Sequence, residues 1–246
     1  MYRLKEIILW FEWILVIIFG LCFGSFANVI ITRVPHRQSI FCPPSHCEKC
    51  QTSLQPHHLI PLFSYLLLFG RCAFCHQRIS WIYPFTECCI MILACISFYF
   101  YSFSVNTILI FLFFTSFFIA TLIDAFHQEV HAEILFFVLL LSCIFLYFNS
   151  EFFLNSLIEP LAIIGFICLL SIFLQAILHK KVIGEGDIVV LAATAILINN
   201  LYLFNLILLS SSCLALIWLL IKKQQKIALL PFLFFPTFYL FFGQSQ

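Results

Sequence analysis

The chain has 246 residues, of which 63% are hydrophobic, 33 are Phe and only 9% are charged; a water-soluble domain of that length cannot bury so much apolar surface within itself. The formal net charge of +1 gives no case for a nucleic-acid partner. Apolar runs of about 20 residues recur along the sequence, the length a helix needs to cross the bilayer core, and so predict an all-α polytopic membrane bundle in contact with lipid.

The first predicted span, 7–32, is long enough to cross and lacks the small-residue cleavage site of a signal peptide. Gly20, Gly24 and Ser25 are small residues at close helical spacing within it, a pattern that lets two helices approach closely. Asn28 stands near its end. A polar loop, 33–80, is the one sizeable extramembrane module, and further spans follow at 81–101, 107–124, 132–149, 157–178, 187–199, 202–221 and 227–243, about eight in all. Fusing the short sixth span with the seventh would give one helix over 188–220, about 50 Å long and too long for the core without heavy tilt. Asn199 and Asn200 mark the break. The expected organisation is a first membrane helix (1–32), the loop (33–80) and a membrane core (81–246).

That loop holds Cys47, Cys50, Cys72 and Cys75 as two C-x2-C pairs separated by 21 residues, out of 12 cysteines in the chain. Four thiolates at this spacing suit a tetrahedral structural Zn²⁺ site. A paired redox centre and four unligated thiols are the alternatives. Cys42, His46 and His76 lie near enough in sequence to compete as ligands. The remaining cysteines are most simply small apolar packing residues.

Placing the loop in the cytoplasm puts Arg33, Arg37, Lys49, Arg71, Arg78, Lys180, Lys181, Lys222, Lys223 and Lys226 inside, and leaves Arg3 and Lys5 outside. The positive-inside rule then gives an N-out, C-out orientation with an even number of crossings.

Only two of the 11 acidic residues are Asp, and this topology brings both to cytoplasmic ends of spans. Asp124 closes the third and Asp187 opens the sixth. Ionisable side chains at membrane depth cost several kcal/mol and are retained for a site, a pathway or a partner. Structural alternatives are a helix N-cap for Asp187 and interfacial solvation for Asp124. Neither explains Gly184 and Gly186, which bracket Glu185 and give backbone without Cβ just before Asp187. Two facing carboxylates share a proton, so one can draw a proton from water while the other protonates a peptide carbonyl. Helix polarity would assign the resting proton to Asp124, at a C-terminus, and the charge to Asp187, at an N-terminus.

The stretches "GLCFGSFANVIITRVP" (20–35), "PPSHCEKC" (43–50), "IPLFSYLLLFGRCAFCHQRISWIYPFTE" (60–87), "LIDAFHQ" (122–128), "GEGD" (184–187) and "LLPFLFFPTFYLFFG" (229–243) resemble, in order, the landmarks of type IV prepilin peptidases. The resemblance implies a bifunctional enzyme of the bacterial inner membrane. It would cleave the leader of prepilins or pseudopilins on the cytoplasmic side and N-methylate the new N-terminal residue with S-adenosylmethionine. By the same resemblance the catalytic aspartates fall on Asp124 and Asp187, the zinc ligands on Cys47, Cys50, Cys72 and Cys75, and Arg71 and Glu87 on family landmarks. The sequence departs from the family pattern at Phe126, His131, Ala132 and Val189, while Glu129 and Glu133 lie out of register with the acids seen there. No Rossmann fingerprint accompanies the expected methyl donor. The competing readings are a proton-coupled transporter using the same aspartates and a pilus-assembly scaffold without chemistry; the first predicts midplane breaks and repeat symmetry, which the sequence lacks.

Overall fold

The structure is a computed structural model that describes residues 2–47, 49–128, 131–179, 184–222 and 228–244, without the side chains of 2–5, 178 and 219–222. Glu129, Lys180, Lys181, Lys223 and Lys226 lie outside the described residues.

All eight predicted spans are helical. In chain order the helices are α1 (Tyr2–Arg33), α2 (Phe63–Leu67) in the loop after a 3₁₀ turn at Pro56–Leu59, α3 (Ile82–Tyr101), α4 (Val105–His127), α5 (Ala132–Asn149), α6 (Phe153–Leu178), α7 (Glu185–Ile198), α8 (Leu201–Lys222) and α9 (Leu230–Gly243). Among the described residues six of them, α1, α3, α4, α5, α6 and α8, are long and apolar enough to cross a membrane. The chain is therefore a multi-pass membrane protein. Helices α7 and α9 have 14 residues each, about 21 Å at 1.5 Å per residue, shorter than a core of about 30 Å.

The chain forms two compact units, residues 1–107 and 108–246. In the first, α1 packs along α3. A Cβ at Gly20 would lie 2.7 Å from the Met91 Cα, and one at Gly24 would lie 2.6 Å from the Glu87 Cα. The two glycines thus serve close backbone approach, as their spacing predicts. The same interface carries buried polar groups. Asn28 donates to the Tyr83 carbonyl at 3.1 Å and its amide oxygen accepts the Thr86 hydroxyl. Both ends of this side-chain amide are engaged by α3, so Asn28 ties two helices together.

In the second unit α7 is enclosed by neighbours: α5, α6, α8 and α9 all contact it, and every residue from Val190 to Ile198 is buried. Its run of small residues, Ala192, Ala193, Thr194 and Ala195, admits this crowding. The break foreseen at the two asparagines is present. Asn199 ends α7 in a left-handed conformation, φ 45° and ψ 38°, a conformation in which Asn is among the more tolerant residues. The Asn200 Oδ1 then accepts the backbone N–H groups of Tyr202 (3.0 Å) and Leu203 (3.3 Å), capping α8.

Phenylalanine supplies much of the remaining order. Phe114 of α4 meets Phe234, Phe238, Phe241 and Phe242 of α9 with ring centroids 5.4–6.2 Å apart, and Phe117 meets Phe234 at 5.3 Å. Offset and edge-on aromatic pairs add specificity to apolar burial. They fix α9 along α4, with consequences for Asp124.

Candidate active site and metal centre

Asp124 lies in the last turn of α4, seven residues after Phe117 and so on the same helix face. It is buried, 6% exposed. Because the aromatic contacts seat α9 against α4, the first residue of α9 presents its backbone to this carboxylate: Leu230 N–H donates to Asp124 Oδ2 at 3.2 Å. The first N–H groups of a helix have no partner within it, and a carboxylate is a natural acceptor for them. Pro231 follows as an early helical residue, where its missing N–H costs nothing.

Asp187 is half-buried in the first turn of α7. It is not the N-cap. That place belongs to Gly184 (φ −68°, ψ 145°), whose carbonyl accepts the Asp187 N–H at 3.1 Å. The Asp187 side chain folds back and takes a hydrogen bond from the Gly184 backbone, the reciprocal arrangement of a capping box with the acid at its third helical position. This explains the first glycine of the motif. A Cβ on Gly184 would lie 2.9 Å from Asp187 Oδ2, so the carboxylate occupies space that any other residue would fill. Gly186 sits in the same helical turn.

The two aspartates, 63 positions apart in the sequence, come close enough for Asp187 to act coulombically on Asp124. Helix polarity no longer separates them, since each accepts a backbone N–H at the start of a helix. The resting proton that polarity alone would give to Asp124 is therefore not assigned by it. Leu230 could not have been found from sequence: a backbone donor leaves no residue signature, and only the Leu-Pro helix start hints at it.

In the loop, the sulfurs of Cys47, Cys50, Cys72 and Cys75 all lie within 4.8 Å of one another, and those of Cys47 and Cys75 are 3.8 Å apart. A tetrahedral Zn–S bond of about 2.3 Å gives sulfur separations of about 3.8 Å, so the cluster could hold a metal ion. The two C-x2-C segments are built alike. Cys47 N–H bonds the Thr52 carbonyl and Cys72 N–H the Gln77 carbonyl (3.0 and 2.9 Å). Gln51 and His76 turn left-handed at φ 57° and 55° and donate back to the carbonyls of Cys47 and Cys72 (2.8 and 3.0 Å). Bridges between His46 and Ser53 and between Arg71 and Arg78 close the two turns. Side-chain and backbone hydrogen bonds from Thr52 hold the Cys50 thiol down to about 6. Backbone hydrogen bonds from Cys75 and Phe74 lower that of Cys72. Both favour the thiolate that a metal requires, whereas burial and hydrogen bonds with the other three sulfurs push Cys75 up to about 11, so the four thiols titrate as a set. Cys42, His46 and His76 do not join the cluster; the His46 Nδ1 lies 3.0 Å from the Pro44 carbonyl instead.

Glu87, in the second turn of α3, is 8% exposed. Its carboxylate takes the Leu62 N–H at 2.8 Å and the Ser25 hydroxyl. Leu62 is held at φ 59°, so a membrane-helix carboxylate anchors a strained point of the loop. Arg71 is not among the partners of Glu87. Thr86, which sequence reading passed over, carried a visible signal: a polar residue one position before Glu87 inside an apolar span.

Two aspartates brought near each other among membrane helices, with a four-thiol cluster that could hold a metal ion in the loop after the first helix, define a polytopic membrane protein. Residues 18–101 match the bacterial peptidase A24 N-terminal domain and residues 110–220 the type IV leader peptidase family. The chain belongs to that family. Among curated relatives, a prepilin leader peptidase/N-methyltransferase of Myxococcus xanthus is 49% identical over 70 residues, 28% of this chain and 21% of the relative. One of the same name from Bacillus subtilis is 42% identical over 79 residues, 32% of this chain and 31% of the relative. The chain thus spans less than a third of the length of these two. A type 4 prepilin-like proteins leader peptide-processing enzyme of Escherichia coli is 29% identical over 234 residues, 87% of this chain and 86% of the relative. No solved structure matches the fold.

Proposed function

We propose that this chain is a bacterial inner-membrane endopeptidase that cleaves the leader peptides of type IV prepilins or pseudopilins at the cytoplasmic face, with Asp124 and Asp187 as its catalytic pair. The observation that carries this reading is the convergence of the chain's only two aspartates, from the end of α4 and the first turn of α7, to within coulombic reach. Family membership and the names of the relatives support it. In the reaction, one carboxylate takes a proton from water as the water oxygen attacks the scissile carbonyl, and the other gives its proton to the carbonyl oxygen. Collapse of the tetrahedral intermediate then passes a proton to the leaving amine. The shared proton belongs to the pair. The backbone N–H groups of Leu230 and Gly184 orient the two carboxylates while it moves.

N-methylation of the new N-terminal residue is the second activity of the proposal, and it rests on the relatives' names. S-adenosylmethionine would supply the methyl group. Cys47, Cys50, Cys72 and Cys75 would hold a structural Zn²⁺, which in a closed four-sulfur shell would have no coordination position for substrate and would serve to keep the 33–80 loop folded; in this reading that loop serves methylation and 81–246 carries the peptidase chemistry.

Mass spectrometry of a prepilin co-expressed with the chain tests both activities, reporting the cut site and the added methyl together. Cleavage should vanish in Asp124→Asn and in Asp187→Asn. Processing retained by either variant would overturn the dyad, and ion flux in liposomes without any cleavage would favour a transporter.

A further inference from the structure

The loop around α2 carries an apolar face that neither the peptidase pair nor the metal centre uses. Phe63, Leu66 and Leu67 share one side of α2 and are 61%, 66% and 77% exposed; Ile60 before them is 48% exposed and Phe69 after them 89%. Leu62, Tyr65 and Leu68, on the other side, are half-buried. An exposed contiguous apolar patch marks a surface that something covers.

Three observations say what covers it. First, the patch is held at the level of a membrane helix. Glu87 accepts the Leu62 N–H at 2.8 Å, and Glu87 lies five residues into α3, about 7.5 Å along its axis from its start. The start of α2 therefore sits beside the second turn of a membrane-spanning helix and not out in solution. Second, Trp81, immediately before α3, is 65% exposed, where tryptophan commonly marks the headgroup level. Third, residues 33–80 contain five Lys and Arg against a single acid, Glu48. One of those cations, Arg71, lines a recess with Leu67 and Phe69, so positive charge and exposed apolar side chains share one place. A cation beside exposed apolar groups at a helix end is the chemistry of an interfacial element on anionic lipid.

We infer that α2 and its flanks lie in the bilayer interface, with Ile60, Phe63, Leu66, Leu67 and Phe69 in the headgroup–acyl boundary and Arg71 at the phosphates of anionic phospholipid. The tetracysteine module, joined to α2 through the bond from Ile79 N–H to the Gly70 carbonyl (2.8 Å), is then held against the membrane surface.

The test is photo-crosslinking of the full chain in nanodiscs of phosphatidylglycerol and phosphatidylethanolamine, with p-benzoylphenylalanine placed singly at Leu67, Phe69 or, as a polar control, Gln77. Phospholipid adducts at 67 and 69 with Gln77 at background are expected. Adducts to protein segments or a second copy in place of lipid, equal lipid labelling at Gln77, or no adduct would each overturn the inference. In an Arg71→Gln background the ratio of phosphatidylglycerol to phosphatidylethanolamine adducts at 69 should fall about fivefold; an unchanged ratio would remove Arg71 from the headgroup.

Discussion

Gly184→Ala isolates the position of one carboxylate from everything else in the fold. At φ −68° and ψ 145° the backbone of residue 184 accepts alanine without strain, so the substitution acts only through the new methyl group. That methyl would stand 2.9 Å from Asp187 Oδ2, whereas ordinary van der Waals contact begins near 3.4 Å. The carboxylate must retreat by about half an ångström or turn about its side-chain bonds, weakening its bond from the Gly184 N–H and its alignment with Asp124. Misplacement of a reacting group by about 1 Å costs about 10²-fold, so a loss of about 10- to 10²-fold in cleavage rate is expected, with the helix and thermal stability little changed. The assay is single-turnover cleavage of a purified prepilin in detergent, with Gly165→Ala as control because nothing lies within 4 Å of the added methyl there. A Gly184→Ala enzyme cutting at the wild-type rate would refute the claim that this glycine exists to make room for Asp187.

Asp124→Asn and Asp187→Asn should each lower cleavage by at least about 10²- to 10⁴-fold, the usual contribution of general acid–base catalysis, with circular dichroism unchanged. Gly24→Ala should destabilise the first unit by about 1–3 kcal/mol in chemical unfolding, because its methyl meets the Glu87 Cα backbone at 2.6 Å and cannot be relieved by a side-chain rotation. Glu87→Ala should leave the Leu62 N–H without its acceptor and open the 60–70 segment to limited proteolysis, while Glu87→Gln, which keeps an acceptor oxygen, should protect it. Zinc, measured by atomic absorption, should be lost on acidification because every ligand must be a thiolate and protons compete for sulfur as pH falls; Cys72→Ser should abolish binding at neutral pH, and metal content unchanged in that variant would exclude a four-sulfur site.

Much of this was legible in the sequence because it depends on local chemistry. Lipid demands long apolar helices, so composition and period alone place α1, α3, α4, α5, α6 and α8, and even the break at Asn199 follows from the length of a bilayer. Two C-x2-C pairs can close on one metal whatever surrounds them, and Gly20 and Gly24 announce close packing without naming the partner. The scarcity of aspartate by itself marks out Asp124 and Asp187.

What only the tertiary structure decided are the relations between distant segments, because apolar helices are nearly interchangeable to lipid and their pairing is set by shape. Nothing in α1 specifies α3 as the helix whose Glu87 backbone fills the notch at Gly24. Nothing in α4 reveals that a row of phenylalanines will draw α9 alongside and bring the Leu230 N–H to Asp124, erasing the asymmetry that helix polarity alone assigned to the two acids. The sequence determined which residues have the chemistry. The packing determined which backbone groups hold them, since a hydrogen-bond donor common to every residue but proline becomes specific only through its place.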